Sequence, residues 1–383
     1  MSKYSISEEE QTTPDGQAKF IAFGLGGGGG NAVAHMVNQG VTNVTFVCAN
    51  TDAQALGKLS VPHKLQLGAN TRGLGAGGDP EKAREAAEQS EEEIRSLLEG
   101  YDMVFIAAGM GGGTGTGSAP VVARIAKEMG ILSVAVVTTP FFFEGAKRLK
   151  TARDGINRLS QYVDSIITIP NDKLTKIYGQ LSFEESLKRA DDVLLYAVNG
   201  LAQTIITAGV INIDFNDIRT AMTAKGHAMM GLGRASGDQR ATKATEAAIR
   251  SPLLDDLRLE NAQGLLVNIT ASELITEELQ EVSDALRSVV DLENGNIFYG
   301  IVTDESLGDE IAVTVVATGL SADESPKVPE PPKVRPQLET APQSPPRTVY
   351  HAPQPEPTIR VTDSGGAIKK GQSVLEFVHQ HQK

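Results

Sequence analysis

Short runs of hydrophobic residues alternate with stretches of helical periodicity through the first half of the chain. Consecutive apolar residues predict buried strands, and apolar residues repeating every three to four positions predict helices. We predict strands at residues 20–23, 44–49, 103–108, 132–138 and 165–169. The helices predicted between them are at residues 31–38, 81–98, 118–129 and 145–161. Such alternation favours a mostly parallel sheet with helices on both faces.

A longer helical pattern covers residues 184–207, and its apolar positions occupy much of the helix circumference. A helix of this kind is predicted to lie buried between two domains. Beyond it we predict helices at residues 216–223, 239–250 and 272–291, with strands at 262–270, 296–303 and 310–318. These elements predict a second, smaller α/β domain.

The composition changes after residue 320. Eleven of the 18 prolines lie between Pro326 and Pro357, and polar residues fill most of the remainder, so this segment is predicted to be a disordered linker. Residues 373–379 are apolar again, which indicates either a tethered binding peptide or an unstructured end. The predicted organisation is an N-terminal extension (1–18), a first domain (19–183), the central helix with the loop after it (184–212), a second domain (213–320), a linker (321–371) and a tail (372–383).

Charge and cysteine content narrow the class of protein. A formal net charge of −13 argues against nucleic acid or an anionic membrane as a direct partner. The one cysteine, Cys48, lies in an apolar run and is predicted to be a buried core residue, which fits a reducing compartment. Residues 1–17 are polar and no apolar stretch is long enough to cross a bilayer, so we expect a cytoplasmic protein without direct membrane insertion.

A glycine-rich run at residues 109–117 follows one predicted strand and precedes a predicted helix. Backbone N–H groups and the helix dipole at such a junction favour an anion, and glycines let the main chain approach phosphate oxygens closely. Thr114 and Thr116 can add hydroxyl donors. A flexible linker is the alternative, which the flanking strand and helix disfavour.

Two further glycine runs, at residues 24–30 and 73–78, follow or adjoin the first strands. Gly24, Gly26 and Gly29 match the dinucleotide-binding fingerprint, and Asp52 lies roughly where a ribose-binding acid is found, so a nicotinamide-dependent dehydrogenase is a serious alternative. Three glycine runs suit several phosphates better than one pyrophosphate. The P-loop pattern is absent, and only three of the six histidines lie outside the linker and tail.

Two acids, Asp214 and Asp217, lie three residues apart and would share one face of a helical turn. They are candidates for positioning a water that attacks a phosphate. Plain helix capping by Asp214 or Asn216 is the alternative.

Taken together, these residues resemble the tubulin/FtsZ family of GTPases. The resemblance covers about residues 20–320 and is carried by the following segments: 111–117, 50–56, 143–148, 169–174, 214–217, 251–254 and 313–319. It implies an α/β fold with a Rossmann-type parallel-sheet GTPase domain, a long central helix and a second α/β domain, followed by a disordered linker and a short tail peptide. It also implies that GTP is hydrolysed to GDP, and Mg²⁺ is expected to assist.

The resemblance assigns the site residue by residue. The phosphates would lie against the following residues: Gly27, Gly28, Gly29, Gly30, Asn31, Gly112, Gly113, Thr114, Gly115, Thr116 and Gly117. Glu144 and Arg148 would reach the ribose and phosphate region, with an ordinary exposed ion pair as the alternative. Asn171 and Asp191 would surround the guanine; otherwise Asp191 would belong to a solvated helix face. No side chain is assigned as a direct metal ligand.

The resemblance further implies that copies of the chain stack head to tail. Asp214 and Asp217 of one copy would complete the GTP site of the next, giving a filament of the bacterial division ring at mid-cell. Division proteins that tether the filament to the membrane would bind the tail. A non-catalytic filament protein of the same fold is a further alternative. Leu187 departs from the family pattern, which usually has phenylalanine at this position near the base.

Overall fold

The computed structural model describes residues 18–68, 72–179, 181–206, 214–223, 226–254, 262, 264–287 and 296–320. Within them the strands are β1 (Phe20–Leu25), β2 (Val44–Asn50), β3 (His63–Gln66), β4 (Met103–Gly109), β5 (Leu132–Thr139), β6 (Ser165–Pro170), β7 (Gly226–Ser236), β8 (Gly264–Ala271), β9 (Asn296–Thr303) and β10 (Glu310–Leu320). The α-helices are α1 (Gly26–Asn38), α2 (Ala53–Gly57), α3 (Pro80–Gln89), α4 (Glu91–Leu98), α5 (Thr114–Glu128), α6 (Ala146–Leu159), α7 (Asn171–Tyr178), α8 (Phe183–Ile206), α9 (Phe215–Thr223), α10 (Arg240–Ile249) and α11 (Thr276–Arg287).

All of these strands belong to one sheet in the order β3-β2-β1-β4-β5-β6-β7-β10-β8-β9. The strands from β3 to β7 run parallel, β10 runs antiparallel to both of its neighbours, and β9 runs parallel to β8. The strand order in the first half reverses between β1 and β4. Ligands of parallel sheets bind at the carboxyl ends of the strands where the order reverses.

Two apolar layers cover the two faces of the first half of the sheet, and β1, β4 and β5 are therefore buried on both faces. One layer includes α1 and α8, and the other includes α3, α4, α5 and α6. This arrangement confirms the predicted parallel sheet between helices. The C-terminal half has its own apolar layer, formed by α10 and α11 against β7, β8 and β10.

The long helix α8 packs on α1 and also contributes to the core beside β7, β8 and β10. Its buried residues, which include Val193, Val198 and Leu201, share one cluster with Phe20 of β1 and Val316 of β10. The prediction of a long central helix is therefore confirmed. None of the helices in the described part of the chain is long and apolar enough to cross a bilayer.

Several predicted elements differ from the structure for identifiable reasons. The helix predicted at residues 81–98 is two helices, α3 and α4, because the helical conformation is interrupted at Ser90. Ser90 is buried, and its hydroxyl accepts from the Gly68 N–H over 3.0 Å. The strands β3 and β7 were not predicted, and neither were the short helices α2 and α7.

Some of the sequence-based expectations lie outside the described residues. These are the extension at residues 1–17, the end of the long helical pattern at 207, the loop at 207–213, residues 288–291 of a predicted helix, the linker at 321–371 and the tail at 372–383.

Candidate functional site

Two glycine runs follow the neighbouring strands β1 and β4 at the carboxyl edge of the sheet. Leu25, the last residue of β1, is paired with Ala108 of β4, so both strands end at the same level. The first run leads directly from β1 into the first turn of α1, which begins at Gly26, and so is not a loop. In the second run, residues 110–113 form a loop, as the sequence indicated, and α5 begins at Thr114. Each first turn leaves backbone N–H groups without a helical partner.

The two helix N-termini approach each other closely enough to exclude side chains between them. A Cβ on Gly26 would lie 2.8 Å from the Gly115 nitrogen, and one on Gly28 would lie 3.4 Å from the Gly109 Cα. Gly26 also has a φ of +72°, which few other residues adopt. Two positive helix ends meeting at an open surface make a site for several negative oxygens.

The predicted phosphate-binding residues fall into two groups. Gly27, Gly28 and Asn31 are exposed and Gly112 and Thr114 are half-buried, so these residues present their main chain or side chain at the surface of the site. The others are buried and shape the turns.

The packing of the buried group is tight. The buried Thr116 hydroxyl accepts from the Gly111 N–H over 2.9 Å, and a Cβ on Gly117 would lie 2.0 Å from the Pro80 carbonyl oxygen. In the described contacts, Thr116 and Gly117 pack against other parts of the protein and so shape the site from within.

The third glycine run, at residues 73–78, packs against the second. A Cβ on Gly113 would lie 2.9 Å from the Ala76 Cβ and 3.1 Å from the Asp79 nitrogen. The Thr51 and Thr114 hydroxyls lie 2.7 Å apart and connect the end of β2 to the start of α5. All three glycine runs therefore meet at one edge of the sheet.

Asp52 has a structural role that the dehydrogenase alternative did not anticipate. Its carboxylate caps α2 by accepting from the Gln54 and Ala55 N–H groups over 2.9 and 3.0 Å. The carboxylate oxygen that accepts both bonds, Oδ1, is thus occupied within the protein. Oδ2 takes no part in the cap, so Asp52 has a structural role whether or not it also contacts a ligand.

Glu144 and Arg148 form an ion pair at the start of α6, beside the glycine runs. Glu144 also accepts from the Phe141 N–H over 2.9 Å, which fixes the short turn before α6. A Cβ on Gly111 would lie 2.8 Å from the Arg148 carbonyl oxygen, so this turn packs directly on the second glycine run. The Arg148 side chain is 54% exposed, so it lies at the surface beside the second glycine run.

A phenylalanine patch, formed by Phe141, Phe142, Phe143 and Phe183, lies next to this turn. The Phe143 ring stacks on the buried Phe141 at 5.1 Å between centroids and meets Phe183 edge-on at 5.7 Å. Phe142, Phe143 and Phe183 are 62%, 59% and 55% exposed. Sequence reasoning missed this patch, although three consecutive phenylalanines between Pro140 and Glu144 were a visible signal.

The patch borders the residues expected near a base. The Phe142 N–H donates to Asp172 over 3.0 Å, and the neighbouring Asn171 is buried with its Oδ1 lacking a hydrogen-bond partner. A buried amide oxygen without a partner is costly in the free protein and suits a ligand donor.

Asp191 lies on α8 beside Asp192, and the two acids have different surroundings. Asp192 accepts from His35 and Arg189 over 2.8 and 3.0 Å. Burial raises the pKa of the Asp191 carboxyl to about 7; the His35 imidazole acts against this shift and the Asp192 carboxylate adds to it. The sequence did not indicate the pairing of His35 with Asp192, because the two residues are 157 positions apart.

Asp214 and Asp217 are exposed at the start of α9, away from the glycine runs. The Phe215 ring lies 6.2 Å from that of Phe20, the first residue of β1, whereas the glycines follow the last residue of β1. A strand of this length spans about 20 Å. The two acids and the glycine runs therefore occupy opposite edges of the sheet. Asp214 Oδ1 also accepts from the Asn216 N–H over 3.1 Å, so it does cap its helix.

Two protein-family models match the chain. The chain matches the model of the Tubulin/FtsZ family, GTPase domain, over residues 19–179, and that of the FtsZ family, C-terminal domain, over residues 226–321.

Two curated relatives, both described as cell division protein FtsZ, are similar along most of their length. The protein of Pseudomonas aeruginosa is 54% identical over 303 residues, covering 78% of this chain and 77% of the relative. That of Coxiella burnetii is 51% identical over 315 residues, covering 82% and 81%. A solved structure described as an empty FtsZ dimer from M. jannaschii has a TM-score of 0.77 and 42% identity, covering 81% of this chain and 89% of that one.

The fold and the glycine-lined edge thus define a nucleotide-binding α/β GTPase rather than a dehydrogenase. The chain belongs to the tubulin/FtsZ family. Within that family it is a cytoskeletal GTPase of cell division, of the FtsZ type.

Proposed function

We propose that GTP binds across the three glycine runs and is hydrolysed only when a second copy of the chain supplies Asp214 and Asp217. The observation that carries this proposal is the location of the two acids at the opposite edge of the sheet, about 20 Å from the glycine runs. One copy offers the nucleotide site at one end and the acids at the other. Head-to-tail stacking brings an acid-bearing end onto each nucleotide site, and because such a contact does not close on itself it produces a filament.

Backbone N–H groups at the starts of α1 and α5 would hold the phosphates. Gly27, Gly28, Gly112 and Thr114 are the accessible members, and Asn31 adds an exposed side chain. No lysine lies in the glycine runs, so a Mg²⁺ ion would supply much of the charge neutralisation that phosphoryl transfer requires. Such an ion would need few protein ligands, which suits an edge of the sheet built from glycines.

Arg148 and Glu144 would contact the ribose and phosphate region beside the second glycine run. Asn171 and Asp191 would read the base. An ionised Asp191 accepts from both N–H donors on the Watson–Crick edge of guanine, and adenine does not present two donors there. The orphaned Asn171 Oδ1 supports a further contact with the bound ligand.

The phenylalanine patch supports contact with another copy at this end of the molecule. Exposed aromatic rings that cluster beside a site are typical of protein interfaces. Their position beside Glu144 and Arg148 means that a copy covering the nucleotide would also cover the patch.

Hydrolysis measured at increasing protein concentration tests the shared site. With GTP and magnesium present, we expect turnover per subunit to rise above a threshold concentration at which light scattering also rises. Turnover independent of concentration would mean that one chain holds the whole site. An absence of turnover at every concentration would favour the non-catalytic filament.

A mixing experiment tests the direction of sharing. Asp214→Ala should retain GTP binding and lose turnover, whereas Gly27→Glu should lose GTP binding through charge repulsion while keeping its acids. A Cβ on Gly27 meets no atom within 4 Å, so this variant should fold. Neither variant alone should hydrolyse GTP, but their mixture should, because the Gly27→Glu copy completes the site of the Asp214→Ala copy. An inactive mixture would contradict the proposal. Asp284→Ala, which removes an exposed acid from α11, serves as the control.

The tail and the cellular location complete the proposal. Residues 373–379 would bind a membrane-tethering division protein, and the filament would form at mid-cell. Removal of residues 373–383 should leave assembly in solution unchanged but disperse a fluorescent fusion from the division site. Loss of assembly in solution would instead place the tail within the folded part of the protein.

A further inference from the structure

A pair of threonine hydroxyls lies where the three glycine runs meet. Thr51, the first residue after β2, is 3% exposed, and its Oγ1 lies 2.7 Å from Oγ1 of Thr114, the first residue of α5. Thr114 is one of the accessible residues of the second run, whereas Thr51 is closed off from solvent. The proposed binding of the phosphates uses Thr114 and gives no role to Thr51.

Thr51 is in contact with more than one glycine run. Its carbonyl oxygen accepts from the N–H of Gly75 in the third run over 3.2 Å, and Gly75 has a φ of +80°. Its hydroxyl bonds to Thr114 in the second run, and a Cβ on Gly26 of the first run would lie 3.2 Å from the Thr114 Cβ. Thr51 therefore holds the third run with its main chain and, with its side chain, the residue at which the other two runs meet.

The direction of the bond between the two hydroxyls decides what Thr114 offers to a phosphate. A hydroxyl has one proton to donate and two lone pairs that accept. If Thr114 donated its proton to Thr51, it would present only lone pairs to negative oxygens. If Thr51 donates to Thr114, the Thr114 proton is left for a phosphate oxygen. Among the described hydrogen bonds, Thr114 is the one partner of the Thr51 hydroxyl, so an anion at the site favours the second direction.

We propose that Thr51 is a positioning residue for phosphate binding, which donates to Thr114 and so turns the Thr114 proton toward the phosphates. This inference rests on the proposed function, because it requires that Thr114 faces the phosphates. The competing view is that Thr51 only fills space between the glycine runs, in which case its methyl group matters and its hydroxyl does not.

Two substitutions of Thr51 separate the hydroxyl from the methyl group. Thr51→Val keeps the size of the side chain and removes the hydroxyl, whereas Thr51→Ser keeps the hydroxyl and removes the methyl group. Equilibrium binding of GDP to the full chain is measured below the assembly threshold. We expect GDP affinity to fall about tenfold in Thr51→Val, because a hydrogen bond to a charged group is lost, and to stay within about threefold of wild type in Thr51→Ser. A packing role predicts the reverse order.

Guanosine, which has the base and ribose but no phosphate, is the second probe. Its affinity should be the same in Thr51→Val and in wild type, because the Thr114 proton has no phosphate to meet. A distorted site would weaken the binding of guanosine and GDP alike.

A matched control exists at the other end of β2. The Thr45 hydroxyl accepts from the Tyr101 hydroxyl over 2.9 Å, so Thr45→Val removes the same kind of bond far from the glycine runs and should bind GDP like wild type. Thermal unfolding followed by circular dichroism checks that each variant is folded. If Thr51→Val does not fold, Thr51→Ala, which removes the hydroxyl and leaves no methyl group in its place, is measured instead.

A double variant tests whether Thr51 acts through Thr114. Thr114→Val should weaken GDP binding by itself, and the addition of Thr51→Val should then cost nothing further, because the bond between the two side chains is already lost. A full additional loss in the double variant would show that the two residues act independently and would contradict the proposal.

The remaining outcomes separate the role of Thr51 from the proposed function. Unchanged GDP affinity in folded Thr51→Val, an equal loss for GDP and guanosine, or a larger loss in Thr51→Ser than in Thr51→Val would overturn the inference. If Thr114→Val weakens GDP binding while Thr51→Val has no effect, only the role of Thr51 is wrong. If neither variant changes GDP binding, the placement of Thr114 at the phosphates is wrong as well.

Discussion

At the scale of single residues, this protein shows how far a side chain's role depends on neighbours that are distant in sequence. Cys48 lies in an apolar run, and the expectation of a buried core residue is confirmed by its complete burial in β2. Asp52 also lies where an acid is expected to bind a ribose, yet its carboxylate caps α2. The apolar pattern was sufficient to predict the burial of Cys48. The role of Asp52 could not be predicted in this way, because it depends on the helix that begins directly after it.

Cys48 should be unreactive in the folded protein. Burial raises the pKa of its thiol to about 12, so the reactive thiolate is scarce at pH 8. We expect no labelling by iodoacetamide at pH 8 in buffer and complete labelling in denaturant, measured by mass spectrometry. Stoichiometric labelling of the folded protein within minutes would show that β2 opens far more readily than its packing indicates.

At the scale of elements, the glycine runs explain most of the differences between sequence and structure. Glycine is unfavourable inside helices, so the pattern indicated helix starts at residues 31 and 118. The structure begins these helices at Gly26 and Thr114, because close approach of the two first turns requires residues without side chains. Five of the six strands from β1 to β6 were predictable from their apolar runs, and the exception is β3. That the glycine runs after these strands lie close together could not be predicted without knowing the order of the strands in the sheet.

The strand β7 was missed for a related reason. Its glycines weaken the apolar signal, but Gly231 and Gly233 are the positions on which α10 packs. A Cβ there would lie 2.0 Å from the Ala248 carbonyl oxygen or 1.9 Å from that of Ala244. A single sequence carries no sign of such a contact.

Gly233→Ala should therefore strongly destabilise the C-terminal half. Since the added methyl group would overlap the α10 backbone, the helix must move, and we expect a loss of about 2–3 kcal/mol in the free energy of unfolding. Urea unfolding followed by circular dichroism measures it. The control is Gly57→Ala, at a helical position where a Cβ meets no atom within 4 Å. Equal stability of both variants would contradict the packing of α10 on β7.

Arg240 stabilises the junction between α10 and α11. It donates to Glu278 over 2.6 Å and to the Glu273 and Asp309 carbonyl oxygens over 2.7 and 3.0 Å. The Arg240 and Glu278 side chains are only 14% and 13% exposed. Removing Arg240 would leave Glu278 poorly solvated, so Arg240→Ala should lower the free energy of unfolding by about 2–3 kcal/mol at pH 7.

The pH dependence of this effect has a defined sign. The Arg240 guanidinium lowers the pKa of the Glu278 carboxyl below its ordinary 4.5. A lowered carboxyl pKa contributes stability that is present above the unfolded value and is lost as the pH falls through the folded one. The difference between wild type and Arg240→Ala should therefore narrow below about pH 4.5, with the lost carbonyl contacts remaining. Arg250→Ala, at an exposed pair with Glu246, should cost less than about 0.5 kcal/mol at either pH.

At the scale of the whole molecule, the sheet separates the parts of the proposed site. The acids were recognisable from the sequence as a pair, but their roles as cap or as hydrolytic groups could not be separated there. In the structure, Asp214 caps α9 and remains exposed at the edge opposite the glycines. Asp214 can therefore be both a helix cap and a hydrolytic group, because capping uses Oδ1 and leaves Oδ2 available.

The phenylalanine patch should contribute to assembly and not to folding. Phe142→Ala removes a ring that is 62% exposed in the single copy, so monomer stability should change little. If the ring is buried against another copy, its loss costs about 1.5 kcal/mol, a roughly tenfold rise in the threshold concentration. Light scattering and GTP turnover measure the threshold, with Ile177→Ala, 36% exposed, as the control. An unchanged threshold in Phe142→Ala would exclude this ring from the contact.

The separation of glycines and acids to opposite edges also sets a simple arithmetic for the ends of a filament. If hydrolysis requires the acids of a second copy, as proposed, the last acid-bearing face in a row of n copies meets no nucleotide and the first nucleotide meets no acids, so the row would hold n − 1 working sites. A pair of copies would run at half the turnover per subunit of a long row, and a terminal subunit would keep its GTP intact. The turnover per subunit would therefore report the mean filament length. At one end of each filament, GTP would be hydrolysed only after the next copy has bound.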